Sequence, residues 1–381
     1  MELNDKTILV ISPQRWGKMH VAKHHYAIEL AKRGNQVIFL NPPDEGIKSA
    51  FEWYNDTGVE RLQVLTYRPF FPLNLRFHLR WVYDLLMYWQ VRKLLRILKE
   101  PLDVVWCFEP NLYSNLHWFR AKFNIYHPVD ELFYDYQIKV GHSAHLILSV
   151  THEILSKFAR AAAPKQFIHH GLGEEFVHAQ PIFKTYPHPE PIKVGYTGNL
   201  LRQDIDIPVF TQIIQENSAV EFHLWGAYQA QSSNFGGDLH PENARFVEFL
   251  QQASNVVLHG MVSPSVLAPA IQDMDAFLIC YDIDKDQSKG TNYHKIMEYL
   301  STGKVVVSNN VSTYLGRPDL IQMIEDRDNN ENLLKLFKTV IEFIEKYNSI
   351  NNQITRVEFA INNKYSDNIS KIGEILSICN Q

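Results

Sequence analysis

Cysteine is scarce in this chain: three among 381 residues, at Cys107, Cys280 and Cys379, each far from the next. Such spacing excludes a disulfide framework and the paired ligands of a zinc finger. Two of the three sit in apolar runs and read as buried thiols of a reducing compartment. No run of about 18 apolar residues occurs, so no segment has the length of a spanning helix. The opening Met-Glu-Leu-Asn-Asp-Lys lacks the charged-then-apolar pattern of an export signal, and the expectation is a protein kept on the cytoplasmic side. Excess positive charge is missing too: 37 Lys and Arg against 42 Asp and Glu leave −5, which gives no general attraction to nucleic acid or to anionic lipid. The first apolar run leads into Ser12–Lys18 without Gly-x-Gly-x-x-Gly, which argues against a dinucleotide oxidoreductase.

What is present is a 45% hydrophobic share with no low-complexity tract, enough for two domains with a core each. Short Val- and Ile-rich runs alternate with helical patterns, the mark of parallel strands joined by crossover helices. Strands are expected at Thr7–Ile11, Gln36–Leu40, Leu62–Leu65, Val104–Phe108, Phe123–Tyr126, Leu146–Val150 and Gln166–His169, with a helix over His20–Arg33. The stretch 180–191 holds four prolines and no period, so it is the best linker. Beyond it a second set of strands is expected at Ile192–Tyr196, Val220–Leu224, Asn255–His259, Ala276–Cys280, Val305–Ser308 and Ile321–Ile324, with helices at Ile207–Glu216, Pro264–Gln272 and Tyr293–Thr302. The fold class is therefore α/β: two Rossmann-like doubly wound domains, with a cleft at their strand carboxyl ends where open α/β sheets bind ligands. The boundaries drawn are 1–185, 186–355 and a carboxyl-terminal helical piece over 356–381.

The most informative stretch runs from Gly290 to Ser308, where a polar loop, a short helix and a buried strand follow without a gap. Lys295 and Glu298 lie three apart, on one helical face. A cation there suits a diphosphate, and a carboxylate suits sugar hydroxyls, a combination that fits a nucleotide sugar. The sequence Lys295-x-x-Glu298-Tyr299-Leu300, followed by Gly303 and Val305–Val307, resembles the donor-binding motif of GT-B glycosyltransferases, above all family 4. Many members carry a glutamate eight residues before the helix glutamate; here that position is Gly290. A branch with Asn-x-x-Lys-x-x-Glu-Tyr-Leu also lacks it, and Asn292 fits that branch. Tyr196–Asp204 and Asn255–Gly260 occur in the order of a family 4 donor domain. Arg15–Lys18, Tyr126–Glu131, Ser149–Leu155 and His170–Leu172 match a related sugar-transferase branch more loosely. The resemblance also implies that the Tyr365–Ile378 segment crosses back onto the first domain.

The resemblance implies roles. Arg202 and Lys295 would offset charge on the leaving diphosphate, and Glu298 would hold the ribose hydroxyls. Gly198, Gly260, Met261, Val262, Thr291 and Asn292 would complete the donor site, with the base read largely by backbone. Each has a plainer alternative: Arg202 can be a surface pair with Asp204 or Asp206, and Glu298 an ordinary helix-surface acid. In the first domain, Gly17 lets a loop approach a phosphate or acceptor closely. His20 stands four before His24, a metal-capable spacing, yet with no third ligand no metal is expected; these histidines contact sugar or simply cap and pack. Asp130 and Glu109 follow strands and are candidates for acceptor proton transfer, with a turn or cap as the alternative for Asp130. Asp282–Asp286 fails as an EF-hand because Gln287 and Tyr293 stand where Gly and Glu are required, and its acids read as a solvated loop rim.

Residues 76–99 mix Arg76, Arg80, Arg92, Lys93, Arg96 and Lys99 with Trp81, Tyr83, Leu85, Tyr88 and Trp89. That composition serves a peripheral membrane contact at the inner face of the cell membrane, a crossover helix against the sheet, or both. The expected reaction moves a sugar from a nucleoside-diphosphate sugar of UDP or GDP type to a glycan or lipid-linked glycan in cell-surface polysaccharide synthesis, with retention implied by the resemblance. The nucleotide sugar is the co-substrate and no cofactor or nucleic-acid partner is expected. A nucleotide-sugar epimerase of the same fold and a catalytically silent sugar-nucleotide binder remain open.

Overall fold

Runs such as Ile8-Leu9-Val10-Ile11 have no polar face to show to water, and they form strands covered on both sides. The computed structural model describes residues 2–17, 20–98, 100–188, 190–229, 240–286 and 288–378. Lys18, Lys99, Gln287 and Cys379, named above, lie outside the described residues. Two compact units result, one formed by 1–169 with 365–381 and the other by 170–364.

The first unit contains β1 (Thr7–Ile11), β2 (Gln36–Leu40), β3 (Phe51–Tyr54), β4 (Leu62–Tyr67), β5 (Val104–Cys107), β6 (Phe123–Tyr126), β7 (Leu146–Ser149) and β8 (Lys165–Phe167). Among the described residues they make one sheet in the order β3-β4-β2-β1-β5-β6-β7-β8. All neighbours are parallel except β3, which runs antiparallel to β4. Alternate residues serve opposite faces: Leu9, Ile11, Val105 and Cys107 join one core, Ile8, Val10, Val104 and Trp106 the other. The sheet winds outward in both directions from β1 and β5, so its switch point lies between them. Strand β3 was not expected. It is an edge strand with Trp53 and Tyr54 exposed, so no buried face left a hydrophobic period to read.

The second unit contains β9 (Lys193–Thr197), β10 (Glu221–Trp225), β11 (Val256–Gly260), β12 (Ala276–Ile279), β13 (Val305–Ser308) and β14 (Ile321–Met323). Their order is β11-β10-β9-β12-β13-β14, all parallel, with the switch point between β9 and β12. A helix over Pro241–Gln252 was also missed, although Phe246, Val247 and Leu250 stand at helical spacing and Pro241 opens it.

The helix Tyr365–Ile378 belongs to the first unit, as the resemblance implied: Tyr365, Ile369, Ile372 and Leu376 enter the core that holds Ala27, Leu30 and Ala31 of the helix Ala22–Lys32. Arg33 ties it by donating to the Ser366 carbonyl (2.5 Å) and the Ser370 hydroxyl (2.8 Å). The proline-rich stretch 180–191 lies within the second unit. Lys184 Nζ, Tyr186 OH and His188 Nε2 all reach Asp275 Oδ1, at 3.1, 2.8 and 3.1 Å. The two units thus divide at 169/170 and 364/365, whereas the boundaries drawn from the sequence stood at 185/186, in the proline-rich stretch, and at 355/356.

Candidate functional site

At the end of β9, Thr197 stands level with Trp225, and Trp225 with Gly260, so the loops 198–202, 226–229 and 260–262 leave one edge together. Gly198 N–H donates to the Trp225 carbonyl and Gly226 N–H to the Gly260 carbonyl, both at 2.8 Å. Gly226 was not singled out in the sequence, yet it makes this edge possible. A Cβ there would lie 1.8 Å from the Gly198 carbonyl oxygen, and its φ is +145°.

Lys295, 5% exposed, opens the short helix Lys295–Leu300 and reaches across the switch point. Its ammonium donates to the Thr197 carbonyl at the end of β9 and to Tyr281 OH (2.6 Å), just beyond β12. It also lies 4.7 Å from the centre of the Tyr196 ring and 5.1 Å from that of Tyr281. Arg202 stands over the same Tyr281 ring at 5.7 Å. Its Nε donates to Asp204 Oδ1 at 2.8 Å and its Nη2 to Oδ2, a bidentate pair with a carboxylate that is itself buried. The two cations singled out in the sequence therefore share one aromatic ring. The sequence reading had Asp204 only as a surface partner and missed Tyr281 and Tyr196. An aromatic after an apolar strand is too common to serve as a signal.

Glu298, one turn after Lys295, is half-buried, and its carboxylate has no hydrogen-bond or ion-pair partner among the described residues. Burial pushes its carboxyl up to about 7; the Lys295 ammonium opposes that shift and Glu175 adds to it. Lys295 and Glu298 thus present one engaged cation and one open acid.

The loop before this helix is held by a residue the sequence reading had assigned to a solvated rim. Asp286 is buried: its Oδ2 accepts from Ser288 Oγ (2.6 Å), Gly290 N–H (2.9 Å) and Tyr293 OH (2.7 Å). Gly290 has φ +64°, and a Cβ there would meet the Asn310 carbonyl oxygen and Ile283 Cδ1 at 2.8 Å each. An acid cannot occupy this position without rebuilding the loop. Thr291 is buried, with its hydroxyl on the Ser288 carbonyl (2.7 Å) and its own carbonyl accepting from Thr313 Oγ1 (2.6 Å); Asn292 is buried beside it in sequence. Met261 and Val262 are exposed at the end of β11.

In the first unit, Gly17 is exposed with nothing within 4 Å of a Cβ, so its loop surface is open. His20 stacks on His24 (5.5 Å between rings) and lies 5.1 Å from Trp16. His24 Nε2 pairs with the Arg15 carbonyl at 3.0 Å, and burial lowers its pKa to about 4. His25 stacks on Tyr365 at 4.8 Å, and burial lowers its pKa to about 3. Among the described residues no three His, Cys, Asp or Glu side chains are grouped to hold a metal.

Glu109, beyond β5, is buried, and burial raises its pKa; its Oε1 accepts from Asn111 N–H at 2.5 Å. Asp130, beyond β6, is exposed and has no hydrogen-bond partner among the described residues. The register Ile11–Cys107–Tyr126 sets both acids at the carboxyl edge of this sheet. The basic segment is largely the helix Arg80–Ile97, whose Tyr83, Met87, Val91 and Leu94 are buried. Its other face shows Trp81 (73% exposed), Leu85 and Trp89, with Phe77 just before it. Among the described residues no helix is long and apolar enough to cross a membrane.

No family model matches the chain, and no curated protein matches it by sequence. Its fold is similar to solved structures along nearly its whole length. A trehalose-6-phosphate protein from E. coli bound with UDP-2-fluoro glucose is 10% identical, with TM-score 0.68 over 98% of this chain and 99% of that one. HepE of Anabaena in complex with UDP and glucose is 15% identical, with TM-score 0.65 over 98% and 99%. The apo form of the lipopolysaccharide outer core galactosyltransferase WaaB is 13% identical, with TM-score 0.62 over 97% and 99%. At such identity the likeness shows the fold: two Rossmann-like parallel-sheet domains of the GT-B kind.

Proposed function

We propose that the chain is a glycosyltransferase, resembling family 4, that moves a sugar from a nucleoside-diphosphate sugar to a hydroxyl of a glycan or lipid-linked glycan in cell-surface polysaccharide assembly. The observation that carries this reading is the convergence of Lys295 and Arg202 on Tyr281, with the open carboxylate of Glu298 one turn away. An ammonium has three donors. Two of those of Lys295 are engaged, which leaves one for a phosphate oxygen. Fixed cations aimed where charge develops on a leaving group are the strongest single source of catalysis of this kind, and they supply the charge here without a metal. Glu298, with its acceptor lone pairs unspent, fits the ribose hydroxyls. Gly198, Gly260, Met261, Val262, Thr291 and Asn292 belong to the loops of the same edge and complete the proposed donor site.

In the proposed transfer, Asp130 accepts the proton of the acceptor hydroxyl, and Glu109, held toward its protonated form by burial, orients the acceptor. Retention at the anomeric carbon is part of the reading. UDP is favoured because the similar HepE structure was solved with UDP and glucose. The WaaB likeness, to a lipopolysaccharide galactosyltransferase, supports a cell-surface glycan. The exposed Phe77, Trp81, Leu85 and Trp89, flanked by Arg76, Arg92 and Lys93, support attachment to the inner face of a membrane. One observation favours a second reading, a silent nucleotide-sugar binder: the Gly290 backbone leaves no room for an acid.

A thermal-shift panel of UDP, GDP, ADP and their sugars tests the reading, since a ligand that binds only the folded state raises the midpoint. A shift with a nucleotide sugar, together with its turnover, supports transfer. A shift without turnover of any donor supports the silent binder, and no shift with any of them overturns both.

A further inference from the structure

Lys23 lies in the first turn of the helix Ala22–Lys32, is 3% exposed, and has no hydrogen bond or ion pair among the described residues. Its helix neighbours Ala22, Tyr26, Ala27 and Leu30 are core residues. Burial lowers its pKa, against the opposing pull of Asp130 and then Glu109; His24 is the other titratable group that senses its charge. A buried ammonium without a partner is costly to the fold, and lysines are seldom buried unless paired. Among the described residues only the charges of Asp130 and Glu109 offset that burial, and no hydrogen bond is spent on the ammonium, so its donors are available to a ligand.

The surroundings say what kind of ligand. The helix bearing Lys23 follows β1, and Glu109 follows β5, so both belong to the switch point of the first sheet, with Asp130 beyond the adjoining β6. The two acids differ. Glu109 is buried and occupied by Asn111 N–H, while Asp130 is exposed and open. One unspent donor beside one unspent acceptor matches adjacent hydroxyls of a sugar, which both accept and donate. The Lys23 ammonium and the open Asp130 carboxylate are of opposite sign, so a neutral ligand that both accepts and donates fits the pair better than an anion.

We infer that Lys23 is an acceptor-binding residue: its ammonium donates to one hydroxyl oxygen of a neutral glycan while Asp130 takes the proton of the neighbouring hydroxyl. This rests on the glycosyltransferase reading. In the step, the acceptor O–H bond breaks and its proton passes to Asp130. The freed oxygen pair forms the new bond to the anomeric carbon on the face from which the diphosphate departs, as retention requires, and the old bond breaks with its electrons leaving on phosphate.

The test uses the full chain and the variants Lys23→Met and Asp130→Asn. With no ligand, Lys23→Met is expected to melt a few degrees higher than the parent, because it removes a buried charge that no hydrogen bond satisfies; a lower midpoint would mean a structural partner and overturn the inference. The 13Cε resonance of Lys23 in lysine-labelled protein, assigned by its absence in Lys23→Met, is expected to titrate below the other lysines and lower still in Asp130→Asn. No change in Asp130→Asn would overturn the pairing. With UDP as probe, the thermal shift of Lys23→Met should equal that of the parent, whereas transfer from UDP-glucose to a panel of neutral methyl glycosides should fall at least tenfold relative to release of glucose to water, which offers no second hydroxyl. Loss of the UDP shift in Lys23→Met alone would move the lysine to the nucleotide and overturn the assignment. Absence of a UDP shift from the parent would count against the functional reading, and the melting and titration results would still decide the buried charge.

Discussion

The switch point of each sheet carries a buried lysine, and the two are treated in opposite ways. Lys295 of the second unit is surrounded: the Thr197 carbonyl and Tyr281 OH accept from it, and the Tyr196 and Tyr281 rings face it. Its companion Arg202 is held in a fork by Asp204. Lys23 of the first unit has no such setting, and Asp130 on the same edge is likewise unspent. A site whose charges are already oriented has little reorganisation to undergo when an ion arrives. A site whose charges are unspent gains most from the ligand that satisfies them. Under the proposed function, the second unit would be a permanent diphosphate cradle and the first a surface completed by its substrate.

The comparison breaks most visibly at Lys295. Lys295→Ala is expected to abolish the UDP-induced rise in melting temperature and to lower kcat/KM for the donor by about a hundredfold or more; a normal shift would remove the diphosphate assignment. On the other edge, Asp130→Asn should keep the nucleotide shift yet lower transfer by about a hundredfold, as loss of a general base does. A parallel loss of binding and turnover would show that the two edges are not divided in this way.

A smaller effect is expected in the loop that precedes Lys295. Gly290→Ala, at φ +64° with two atoms 2.8 Å from the new Cβ, should cost about 2–3 kcal/mol of stability by denaturant unfolding. A neutral result would mean that the loop yields freely and that the missing acid has no steric cause. The smallest effect is the titration of Glu298. Its folded pKa is raised to about 7, so the folded state binds the proton more tightly than the unfolded chain does. Stability should therefore decline as pH rises from the ordinary carboxyl range through about 7. Glu298→Gln should remove roughly 1–2 kcal/mol of that decline, discounted for the half-exposed position. An unchanged slope between pH 5 and 8, read from unfolding midpoints at about half-unit steps, would place the acid in water.

Much of the framework was legible because parallel strands buried on both faces must be apolar throughout. Thr7–Ile11, Gln36–Leu40, Phe123–Tyr126 and Val305–Ser308 form strands over the bounds read from sequence. The edge strand Phe51–Tyr54 was not legible, since exposure removes the pattern that burial imposes. Arg202 and Lys295 were visible as charges beside strand ends, but their common ring was not. Tyr281 lies 14 residues from Lys295 in the chain, and Arg202, which follows β9, is brought beside the same ring by the β9–β12 pairing. Asp286 was misread for a related reason: acids in a polar loop resemble a solvated rim until the fold closes over one of them.

The sequence by itself determined the two-sheet α/β plan and the chemical types at the strand ends, because hydrophobic period and turn residues are local properties. Only the tertiary structure decided which charges are engaged. Lys23 and Lys295 look alike as letters, and they differ because burial and the partners that reach each ammonium come from segments distant in the chain.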